Sequence, residues 1–85
     1  ISGWKLVNAG EESHTYVTKG CFLQGKNNLN EEWKTLDRLN NNKRNVVSRQ
    51  LSEPAKVRYI RLMVTNPTQD DEGKDTRIYE FEVYK

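Results

Sequence analysis

A strict two-residue alternation near the C-terminus constrains this chain more than any other feature. In Arg77-Ile78-Tyr79-Glu80-Phe81-Glu82-Val83-Tyr84, the side chains of Tyr79, Phe81 and Val83 share one parity and those of Glu80, Glu82 and Tyr84 the other. A strand puts those two sets on opposite faces; a helix does not. The earlier run Val57-Arg58-Tyr59-Ile60-Arg61-Leu62-Met63-Val64-Thr65 places Ile60, Leu62 and Val64 on one face, while Arg58 and Arg61 keep it from being uniformly apolar. That pattern predicts a half-buried strand. Between the two, residues 66–76 combine Pro67, Gly73 and a polar remainder, the composition of a surface loop. Residues 57–84 are thus expected to form a β-hairpin around which the rest is arranged.

The preceding chain supplies shorter elements. Trp4-Lys5-Leu6-Val7 reads as a strand ended by Asn8-Ala9-Gly10, followed by a polar loop over 11–15. Residues 17–24 read as a strand with Cys21 and Leu23 on one face, and Val46-Val47-Ser48-Arg49-Gln50-Leu51 as a weak one. The segment 31–42 is ambiguous: Leu29, Trp33 and Leu36 fit helical spacing with Asn30 as a cap, and strand alternation there is poor. If each strand reverses the direction of the one before it, loops 9–16, 40–45 and 66–76 share one end, and connectors 25–32 and 52–56 share the other. The first set is rich in groups that bond hydroxyls, among them Asn8, Glu11, Glu12, His14, Asn41 and Arg44. Rigid sandwiches often carry function on such clustered loops.

Composition limits the function classes. The apolar fraction of 34% and mean hydropathy of −0.96 are low for a sandwich whose two inner faces both need filling, so further core strands are expected outside these 85 residues. A net charge of +2, spread along the chain, argues against nucleic acid or a polybasic membrane patch. The single Cys21 excludes an internal disulfide and reads as a core thiol. No catalytic residues are expected. With one His and one Cys, neither a catalytic zinc nor a thiol–imidazole pair is available, and no phosphate-cradling glycine loop is present. The carboxylates of Glu80 and Glu82 repel across one strand face, which calls for a cation. That cation is either a hard metal such as Ca2+ or one of Arg58, Arg61 and Arg77.

Several blocks, taken together, resemble a known family. Trp33-Lys34-Thr35-Leu36-Asp37, the Arg58-to-Leu62 block, Thr65-Asn66-Pro67-Thr68-Gln69 and the final Arg77-to-Tyr84 block are similar to the C-terminal part of a coagulation-factor 5/8 type C (discoidin-like) domain. The similarity is greatest to its bacterial members, the family 32 carbohydrate-binding modules, and it extends over essentially the whole chain. It implies an all-β, galactose-binding-like jelly-roll sandwich lacking its N-terminal strands. It implies strand rather than helix around Trp33 to Leu39. It further implies non-catalytic glycan binding by an extracellular or cell-surface module attached to a secreted glycoside hydrolase, with an adjacent catalytic domain or the remaining N-terminal segment as partner.

The same resemblance implies a structural Ca2+ with Glu80 as ligand and an aromatic ring, from Tyr79 or Tyr16, for the apolar side of a sugar. The Arg that galactose binders of the family carry at the first strand's end is Asn8 here. The ligand-binding set expected from the sequence is therefore Asn8, Glu11, Glu12, His14, Asn41, Arg44 and Tyr79, and the metal ligand Glu80. The competing function is a structural or protein-docking domain without a ligand of its own. Binding to an anionic lipid surface, known among animal relatives, is disfavoured because loops 9–16, 40–45 and 66–76 contain no Trp, Phe, Leu or Met.

Overall fold

The computed structural model describes residues 1–69 and 75–85. Among these lie six strands, β1 (Gly3–Asn8), β2 (Gly20–Lys26), β3 (Lys34–Leu39), β4 (Val46–Gln50), β5 (Tyr59–Asn66) and β6 (Ile78–Tyr84), and a short 3-10 turn at His14–Tyr16. They form two antiparallel three-stranded sheets in the orders β4-β1-β6 and β3-β2-β5. The all-β sandwich implied by the family resemblance is what the chain adopts.

Alternation on the two central strands builds the core. Trp4 and Leu6 of β1 face Cys21 and Leu23 of β2, and all four are fully buried in one cluster with Leu39 and Val47. Burial pushes the Cys21 thiol up to about 11, helped by the nearby Asp37 charge and opposed by Arg49, so the thiol stays protonated, as a core cysteine should.

The pairing within residues 57–84 departs from expectation. β5 and β6 are not a hydrogen-bonded hairpin: β5 pairs with β2 and β6 with β1, in different sheets. A tight turn would hold the two strands side by side; the connection 67–77 is too long to impose that pairing. The segment 31–42 contains strand β3, not a helix. A register shift between Leu23 and Gln24 sets Leu23 against Asp37 and Gln24 against Thr35, so Leu36 is the extra residue of a bulge. That extra residue explains why Trp33 and Leu36 differ in parity and mimic helical spacing.

One flank of the sandwich is latched by polar contacts. Asp37 of β3 accepts from Trp4 Nε1 at 2.9 Å and from Arg49 of β4 at 2.9 and 3.0 Å, while Arg49 also donates to the Arg38 carbonyl at 3.2 Å. With β3 over β4 and β2 over β1, β5 and β6 lie along the opposite flank. There Ile60, Leu62, Val64 and Ile78 are only half-buried against the core, and Phe81 and Val83, paired with the buried Leu6 and Trp4, remain 38% exposed.

Candidate functional site

The loops expected at one end are tied together there by side-chain amides. Asn8, at the end of β1, is fully buried. Its Oδ1 accepts from Thr18 N at 3.1 Å, and its Nδ2 donates to the carbonyls of Asn45 at 3.0 Å and Arg44 at 3.5 Å. Asn45 answers with Oδ1, which accepts from Gly10 N at 2.7 Å; a Cβ on Gly10 would sit 2.5 Å from that oxygen, so the close approach of the two loops requires glycine. Asn42 donates through Nδ2 to Thr18 O at 2.9 Å and Arg44 O at 3.0 Å. Gln69 Nε2 donates to the Val17 and Asn42 carbonyls at 2.9 and 2.7 Å, and Gln69 N to Thr15 O at 2.9 Å. Buried carbonyls and amides at this end are satisfied by these contacts, as a rigid loop platform demands.

On this platform the expected ligand residues separate into two groups. Glu11, Glu12 and Tyr79 come together: the Tyr79 hydroxyl is raised above its ordinary pKa by desolvation, by a hydrogen bond to Glu12 and by the charges of Glu12 and Glu11. Asn41 and Arg44 line a cleft of about 540 Å3 with Asn40, Lys43, Ser48 and Arg49. Asn41 has φ of 51°, a left-handed conformation that asparagine tolerates and that sets the turn presenting Lys43 and Arg44. His14 opens the 3-10 turn and is exposed. The other candidate ring, Tyr16, carries the Arg77 guanidinium over its face at 4.1 Å.

Asn8 differs from expectation. Its amide is consumed in joining β1 to loop 40–45 and to Thr18, so it positions the site rather than facing a ligand. Asn42 and Gln69, which do the same work, and Lys43 in the cleft belong to the polar loops the sequence singled out but not to the expected ligand set, while Asn45, Ser48 and Arg49 were not singled out. The asparagine-rich run 40–45 was the available signal, but its amides looked alike in sequence and only the fold sorts them into buried ties and exposed groups. The part of loop 66–76 at 70–74, with Asp70 and Asp71, lies outside the described residues.

Glu80 and Glu82 are exposed on the outer face of β6. Glu82 lies across from Lys5 in the register and accepts from the Tyr84 hydroxyl at 3.2 Å. Two of the three arginines weighed as partners are otherwise engaged: Arg61 donates to Gln24 Oε1 at 2.7 Å and stacks on Trp33 at 4.4 Å, and Arg77 covers Tyr16. Among the described residues no three His, Cys, Asp or Glu side chains cluster. Since Ca2+ takes about six to eight oxygens and one carboxylate supplies at most two, the described residues around Glu80 do not fit that ion.

The sandwich has the fold of a family 32 carbohydrate-binding module. Among solved structures, that of the family 32 carbohydrate-binding module from Streptococcus pneumoniae EndoD superposes with a TM-score of 0.85 at 26% identity, over 99% of this chain and 60% of that one. The chain thus spans about 60% of the length of the structure it matches. No family model matches the sequence, and no curated protein does.

Proposed function

We propose that this chain is a carbohydrate-binding module that takes glycans, of galactose type or related, through the loops at the Asn8 end of the sandwich. It is a non-catalytic domain. The observation that carries the reading is the pair of exposed polar groups, Glu11/Glu12/Tyr79 and Asn41/Arg44, held on one amide-locked platform within the fold shared with the EndoD module. Carboxylates, amide and guanidinium can bond sugar hydroxyls, and the exposed Tyr79 ring offers a face to pyranose C–H groups. Sites of this kind are weak singly and gain by tethering to a larger protein. On this reading the module works outside the cell as an accessory of a secreted glycoside hydrolase, its catalytic domain being the neighbour that benefits.

Titration with galactose, N-acetylgalactosamine and mannose tests the proposal. Saturable binding to at least one sugar is expected, weakened on the order of tenfold by Tyr79→Ala or Asn41→Ala, the scale of one lost stacking or hydrogen-bonding group. Binding to none, with the fold intact by circular dichroism, rejects it.

A further inference from the structure

We infer that the sugar bound on the 40–45 side of the loop end is acidic, bearing a carboxylate or sulfate; this rests on the carbohydrate-binding reading above. The cleft between loop 40–45 and β4 is walled by Lys43, Arg44 and Arg49, and among the described residues no Asp or Glu lines it. Arg49 is committed to Asp37 at 2.9 Å. Lys43 and Arg44 are exposed and form no ion pair with a carboxylate among the described residues.

These two cations, without a carboxylate partner among the described residues, are held by an ordered backbone. Arg44 N donates to Asn42 Oδ1 at 3.1 Å, the Arg44 carbonyl accepts from Asn42 Nδ2 at 3.0 Å, and Asn42 N donates to the Lys19 carbonyl at 2.9 Å. The loop conformation is therefore set by folding, which lowers the ordering cost of binding. A neutral sugar presents hydroxyls, which amides or a single guanidinium serve without a second cation. A guanidinium beside an ammonium, with Asn41 and Ser48 as neutral donors, instead matches a planar carboxylate or a sulfate. The other half of the platform carries Glu11 and Glu12, so an acidic sugar is oriented with its anion toward Lys43 and Arg44 and its hydroxyls toward Tyr79.

The test is calorimetric titration of the chain with lactose, sialyllactose and sulfolactose at low and raised salt, repeated with the Lys43→Gln/Arg44→Gln double variant, whose substitutions are both on exposed side chains. At least one acidic sugar is expected to bind on the order of tenfold tighter than lactose, as one charge-assisted contact provides. That preference should shrink with salt and disappear in the variant; which acidic sugar shows it identifies the anion. Lactose binding as tightly as both acidic sugars overturns the inference while leaving carbohydrate binding in place. An acidic preference that survives in the variant overturns the assignment to this cleft. Failure of all three sugars to bind removes the inference, and the reading beneath it falls as well only if galactose, N-acetylgalactosamine and mannose also fail to bind.

Discussion

The two flanks of the sandwich carry the same alternation and bury it to different depths. On the β3/β4 flank, Leu39 and Val47 are buried and Asp37 latches the sheets through Trp4 and Arg49. On the β5/β6 flank, Phe81 and Val83 are in register with Leu6 and Trp4 yet stay partly in water. The difference teaches that inward-facing parity does not by itself bury a residue. Among the described residues all four outer strands are sheet edges; burial needs a second layer closed overhead, as the Asp37–Arg49–Trp4 contacts close it on the β3/β4 flank. Trp4 touches both regimes, donating to Asp37 on one side and packing edge-on to Phe81 at 6.3 Å on the other.

Substitution of the shared tryptophan should have the largest effect. Trp4→Ala is expected to cost about 3–5 kcal/mol of folding stability, the usual range for emptying a buried aromatic site, measured by urea denaturation. A loss below about 1 kcal/mol would mean the core does not centre on this side chain.

The latch comes next. Asp37→Asn should cost about 1.5–3 kcal/mol, because the carboxylate accepts charge-assisted bonds from Arg49 as well as the Trp4 indole. Burial alone would raise the Asp37 pKa, but the bonds from Arg49, Trp4 and the Arg38 amide hold it below the ordinary carboxylate value. A depressed folded pKa means that stability is present above the unfolded value, about 3.9, and is lost as pH falls through the folded one. The gap in stability between wild type and Asp37→Asn should therefore narrow on acidification below about pH 4. A gap that stays constant to lower pH breaks the latch argument.

Phe81→Ala should cost only about 1 kcal/mol, since a side chain left partly in water forfeits only part of the about 1.5–3 kcal/mol available to a fully buried one. If it rivals Trp4→Ala, the two flanks are energetically alike and the contrast fails. The smallest effect concerns Cys21: its modification by a thiol reagent at neutral pH should follow global unfolding, because the thiol is buried and its pKa is near 11. Fast labelling of the native chain would place an opening next to Leu39 and Val47, on the flank taken here as closed.

Much of this was legible in the residues. The final strand, the inward set Ile60, Leu62 and Val64, the core thiol and the gathering of loops 9–16 and 40–45 at one end all follow from side-chain parity and from strands reversing direction. The candidate site was legible in outline only. Asn8 and Asn41 are chemically identical, and nothing local distinguishes the buried tie from the exposed group at the cleft.

What the sequence determined by itself is the kind of element: period-two patterning marks strands, and 85 residues with a modest set of apolar side chains allow only a thin core. What the tertiary structure alone decided is partnership. β5 and β6, neighbours in sequence, went to different sheets; the Leu36 bulge turned an apparent helical spacing into a strand; and Asp37, Arg49 and Trp4, far apart in the chain, became one hydrogen-bonded latch. Parity is a property of a strand, whereas a partner is chosen by the geometry of everything else that must be buried or bonded at the same time.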